Sequence, residues 1–97
     1  MSKTVKTIPN SAQFRDKIRD RIETKLGSKN SSINLEIGIY NYAIKEADRR
    51  KIVKKWDNKT FVRIYLNHIK SILTNLNETI IEQIKNKEIK AQNVAFI

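Results

Sequence analysis

Along the first third of the chain, apolar residues recur every four positions. Phe14, Ile18, Ile22 and Leu26 form one narrow stripe between charged neighbours, the pattern of a helix with a single buried face. The helix is expected from about Ala12 to Leu26, with Asn10 or Ser11 as its cap and Gly27 at the left-handed position that ends it. A second helix, capped by Ser31-Ser32 and running to about Ala47, carries a main stripe of Ile33, Ile37, Tyr40, Ile44 and Ala47, widened by Leu35, Ile39 and Tyr42. So broad an apolar surface suits the central member of a bundle. Gly38 lies inside it at a propensity cost of about 1 kcal/mol against Ala, which implies a close approach by another element.

Arg49 to Lys55 reads as a basic connector. Asp57 or Asn58 then caps a third helix to about Leu76, with Phe61, Tyr65, Ile69, Ile72, Leu73 and Leu76 on one face. With Asp57 as cap, Trp56 and Phe61 have the spacing of a hydrophobic staple. Asn77 caps a short fourth helix, about Glu78 to Asn86, that turns Ile80, Ile81 and Ile84 inward. The apolar tail from Ile89 to Ile97 is expected to fold back on the bundle. Two Gly and one Pro leave too little punctuation for an all-β chain. The predicted fold is therefore all-α: a three-helix bundle with a short fourth helix and a packed C-terminal tail, spanning residues 11–97 after a lead of residues 1–10.

Charge narrows the function. Twenty Lys and Arg against ten Asp and Glu give a net +10 in 97 residues, a balance that favours a polyanionic or acidic partner. The cations concentrate between Lys45 and Lys55, where six basic residues outnumber two acidic ones, Glu46 and Asp48. Arg49, Arg50, Lys54 and Lys55 in the connector, with Arg63, His68 and Lys70 on the third helix, are the candidate contacts to such a partner. Ile, Lys and Asn fill 40 of the 97 positions, pointing to an AT-rich genome.

Catalytic chemistry finds little footing. The chain has no cysteine and one histidine, so thiol nucleophiles, disulfides and zinc ligation by cysteine are excluded. His68 sits beside the third helix's apolar stripe, where a lone histidine reads as a surface residue. Asp16/Asp20 and Glu78/Glu82 lie among cations and read as surface ion pairs. No charge-free run exceeds eight residues, far short of the roughly 20 that a membrane-spanning helix needs. The aromatics occupy apolar stripes and do not read as a base-stacking platform. The chain reads as a monomer that is not an enzyme.

Three segments resemble the central domain of transcription elongation factor TFIIS. The family shows Ile/Leu-Glu followed three residues later by an aliphatic residue; this chain has Leu35-Glu36 and then Ile39-Tyr40. The family's third helix reads Tyr-x-x-Arg-x-Arg-Ser-x-Ile/Leu-x-Asn-Leu, and here Tyr65 to Leu76 follows it with His68 and Lys70 at the two arginine positions. Farther on, Ile80, Ile84, Ile89 and Val94-Ala95-Phe96-Ile97 match the family's short helix and Ile-Ala-Val-Met segment, while Lys87 stands at a position the family gives to Gly. The resemblance covers about residues 12–97, and the stretch Lys54-Lys55-Trp56-Asp57-Asn58, with so short a lead before the first helix, is similar to the TFIIS-like proteins of large DNA viruses.

The resemblance implies a domain that docks on the largest subunit of DNA-directed RNA polymerase. A separate zinc ribbon, for which this chain has no cysteines, then reaches the polymerase's metal ions and promotes transcript cleavage. It implies that the chain is a fragment without a cofactor of its own, working inside the cell in the nucleus, a viral factory or the virion. The competing reading is an independent basic helical module that binds DNA or RNA directly. Against it, the second and third helices are joined by about ten residues, whereas a helix-turn-helix uses three or four.

Overall fold

A computed structural model describes residues 11–96. The expected cap at Asn10, the N-terminal lead and Ile97 fall outside them. Five helices follow in order, and no strand occurs among the described residues: α1 (Ser11–Leu26), α2 (Lys29–Arg50), α3 (Lys59–Asn75), α4 (Glu78–Lys85) and α5 (Ala91–Val94). No helix is long and apolar enough to cross a membrane.

α1 ends as its sequence implies. Gly27 adopts φ +75°, and its N–H donates to the Glu23 carbonyl. The two-residue link to α2 moves the next cap forward from the expected serines. Ser28 is extended, and its Oγ accepts from the Ser31 N–H at 3.3 Å. Ser31 and Ser32 thus lie inside α2, which also continues past Ala47 through Arg50. Asn58, not Asp57, caps α3 by accepting from the Phe61 N–H at 3.0 Å. That choice shifts the register expected for a staple, yet Trp56 still meets Phe61 edge-on with centroids 5.3 Å apart. Asn77 caps α4 as expected.

α2 is central, with α1, α3 and α5 packed against it. The core gathers Ile18, Ile22 and Leu26 of α1, Leu35, Ile39, Ala43 and Ala47 of α2, and Phe61, Ile64, Tyr65, Ile69 and Ile72 of α3. The α2 face is rotated from the expected one: Leu35 and Ile39 are fully buried, while Ile33, Ile37, Tyr40 and Ile44 are half-buried. A helix covered on several sides is apolar nearly all round, so its periodicity fixes no single centre. The tail folds back as α5, burying Ala91, Val94 and Ala95. Gly38 makes room for it; a Cβ there would lie 2.2 Å from the Gln92 carbonyl oxygen.

Candidate docking surface

Four residues that periodicity assigns to surfaces or to apolar packing meet in one polar cluster. Glu36, one step after Leu35 on α2, has a side chain with no exposed area. Arg15 and Arg19 project from α1, one turn apart beside the Ile18–Ile22 stripe. Arg15 forks onto the carboxylate, Nε to Oε2 at 2.7 Å and Nη2 to Oε1 at 2.9 Å, and Arg19 Nε donates to Oε1 at 3.0 Å. From α3 the Tyr65 hydroxyl donates to Oε2 at 2.6 Å. Burial makes a lone carboxylate costly, and this one is compensated by charge-assisted donors from both flanking helices. Burial, reinforced by the hydrogen bond to Glu36, pushes the Tyr65 phenol well above its ordinary value of 10.0. For Arg15, burial opposes the charge, but Glu36 outweighs it and raises the guanidinium. Arg15 also lies 4.1 Å from the Tyr40 ring centroid. Phe14, Tyr40, Trp56, Phe61 and Tyr65 cluster around this junction.

The seven candidate contacts separate into three groups. Arg49 and Arg50 belong to the last turn of α2, not to a connector, and both grip Glu46, with Arg50 Nε at 2.6 Å from Oε2. Cations at this end of a helix also complement its dipole. The hydrogen bond from Arg49, then that from Arg50, holds the Glu46 carboxyl below its ordinary range despite an opposing desolvation. Lys54 pairs with Asp48. Lys55 is exposed, with no partner among the described residues.

A second group, Arg63 and His68, lines an open cleft of about 380 Å³ between α2 and α3, where the two meet Arg50 of the first group together with Tyr42 and Glu46. His68 is not a surface histidine. Its ring stacks on Tyr42 with centroids 3.6 Å apart and planes at 9°, and Nε2 lies 2.6 Å from the Ala95 carbonyl oxygen. A carbonyl can only accept, so the proton must sit on Nε2. The residue therefore ties α3 to the returning tail, and its packing could not be read from α3 alone.

Lys70 forms the third group, on the opposite flank of α3 beside Arg21 and Lys25 of α1. Sequence reasoning passed over these two α1 cations, although Lys17, Arg21 and Lys25 recur every four residues. Among the described residues, no group of three His, Asp or Glu side chains is arranged to hold a metal ion. What the surface offers is a set of exposed cations carried on α1, α2 and α3 and the α2–α3 link. No family model, curated protein or solved structure matches the chain.

Proposed function

We propose that the chain is the polymerase-docking module of a TFIIS-like transcription elongation factor. The observation that carries this reading is the hydrogen bond between Tyr65 and Glu36. It joins two of the three sequence segments on which the resemblance rests, Leu35-Glu36 and the Tyr65–Leu76 run. Support also comes from Lys87, which stands where the family has Gly and adopts φ +61°, a conformation that favours glycine. In this reading the bundle anchors a factor to an acidic surface of the polymerase through its exposed cations. The carboxylates that promote transcript cleavage belong to a cysteine-bound zinc ribbon, and the chain carries no cysteine.

The cleft holding Arg50, Arg63 and His68 favours a second reading, direct binding of nucleic acid. Glu46 inside the same cleft weakens it, because a carboxylate repels a phosphate. Binding of the immobilised chain to its cognate multisubunit RNA polymerase tests the first reading, alongside cleavage assays on stalled elongation complexes. The expected result is polymerase binding, weakened by salt, without stimulated cleavage. Failure to bind polymerase, together with tight binding to a bare oligonucleotide, would overturn it in favour of the second.

A further inference from the structure

α1 and α3 both pack on α2, and their outer flanks leave an open groove of about 540 Å³ between them. Its floor is apolar, made by Leu66, Ile69 and Leu73 of α3, and its rim carries Arg21 and Lys25 from α1 and Lys70 from α3. All three cations are exposed, and none has a partner among the described residues. Leu66 is 38% exposed in the middle of a folded helix. No Asp or Glu lines the groove, and α3 has no acidic residue anywhere in its sequence.

The acidic residues of α1 lie elsewhere. At 100° per residue, Asp16, Asp20 and Glu23 fall on the flank shared with Arg19, which approaches Asp16 to 3.7 Å. Lys17, Arg21 and Lys25 occupy the other flank. The charge is therefore sorted by face, and the charged residues on the groove flank of α1 are all cations.

We propose that this groove docks an acidic amphipathic segment of a partner protein, with apolar side chains against Leu66 and Leu73 and carboxylates against Arg21, Lys25 and Lys70. From Leu66 to Leu73 the helix rises about 10 Å, or two turns. The groove thus fits a short helix presenting apolar anchors at i, i+4 and i+7, the helix-in-groove mode of recognition. Nucleic acid suits it less well. A phosphodiester backbone gains nothing from a leucine floor, and single-stranded bases stack on aromatic rings, which the lining lacks. As the site through which an RNA polymerase is engaged, the groove rests on the docking reading above. As a binder of acidic helices it stands alone.

The test is a titration of the ¹⁵N-labelled full chain with three probes. One is a synthetic amphipathic peptide with leucines at i, i+4 and i+7 among glutamates, the second its scrambled isomer, and the third a single-stranded oligonucleotide. The expected result is saturable shifts at Arg21, Lys25 and the Leu66–Thr74 amides with the first peptide, and at least tenfold weaker binding of the isomer. The double variant Arg21→Glu/Lys25→Glu, at exposed sites, should keep the melting temperature, and Leu66→Asp, at a site 38% exposed, should melt lower but stay folded by circular dichroism; each should lose at least tenfold in affinity. Absence of shifts, shifts elsewhere, or preferential binding of the oligonucleotide at these amides would overturn the proposal. Purified RNA polymerase separates the two claims. Capture of wild type and Leu66→Asp alike would exclude the groove as the dock, whereas no capture of wild type with intact peptide binding would sink only the polymerase reading.

Discussion

Replacing Glu36 with Ala removes the single acceptor shared by α1, α2 and α3. Two guanidinium groups and a phenol lose their partner together. Breaking a buried ion pair from one side costs about 3–5 kcal/mol. Arg15 and Arg19 retain 22% and 26% of their side-chain exposure, so water can reclaim part of both, which favours the lower end. The Tyr65 hydroxyl has no such access, since the residue is fully buried, and an orphaned buried donor adds about 1–3 kcal/mol. A net loss of about 3–4 kcal/mol follows after overlap between the two contributions. Domains of this length hold about 5–15 kcal/mol in total, and 1 kcal/mol moves the midpoint by about 4–8 °C. The variant should melt on the order of 15–25 °C lower, or not fold at 37 °C. Glu36→Gln, which keeps an acceptor and the shape, should fall between it and wild type. Thermal and urea melts followed by circular dichroism would measure both. A Glu36→Ala loss under about 1 kcal/mol would refute the claim that this carboxylate joins the three helices.

Gly38→Ala should destabilise by roughly 1–3 kcal/mol despite better helix propensity, because the new Cβ meets the Gln92 backbone; amide shifts concentrated in α5 and at His68 would locate the damage. Lys87→Gly should be neutral to stabilising by up to about 1 kcal/mol in urea melts, since glycine relieves the left-handed backbone there at an entropic cost to the unfolded chain. Tyr65 has a raised folded-state pKa, so its contribution to stability is intact below the ordinary value of 10.0 and lost as pH rises beyond it. Tyr65→Phe should therefore be less stable than wild type near neutrality, with the gap narrowing in alkaline melts; a gap independent of pH would argue against the assignment.

The helices of the bundle could be read from recurrence alone, because α1 and α3 each bury one face. α2 reads as central from its pattern, but its buried face is turned about the axis from the expected one, since Leu35 and Ile39 compete with Ile33 and Ile37 for the same apolar surface. Its serine cap was misplaced because three serines within five residues all satisfy the local rule, and tertiary packing selects Ser28. Glu36 was the harder case. A carboxylate reads as solvated unless its cations are known to arrive from elsewhere, and Arg15 and Arg19 lie 21 and 17 residues away. Only the resemblance singled out Glu36, and it gave no partner. Nearness in sequence brings the seven candidate contacts together but hides the pairing of Glu46 and Asp48 with Arg49, Arg50 and Lys54. It also splits Lys70 from Arg21 and Lys25, which only the packing of α1 beside α3 brings together.

The Glu36 cluster also constrains how this chain can drift. Fourteen lysines against six arginines show a composition that tolerates lysine at most cationic sites, yet four of the six arginines grip carboxylates, at Glu36 and Glu46. A lysine at position 15 would offer one ammonium where a planar fork now spans both carboxylate oxygens. Position 36 is thus epistatic with 15, 19 and 65: its exchange strands all three partners, while a joint exchange of the cluster for apolar residues of matching volume can come close to neutral. Lineages descending from this sequence should change Glu36 only together with its partners, while lysines outside this cluster and the groove turn over more freely.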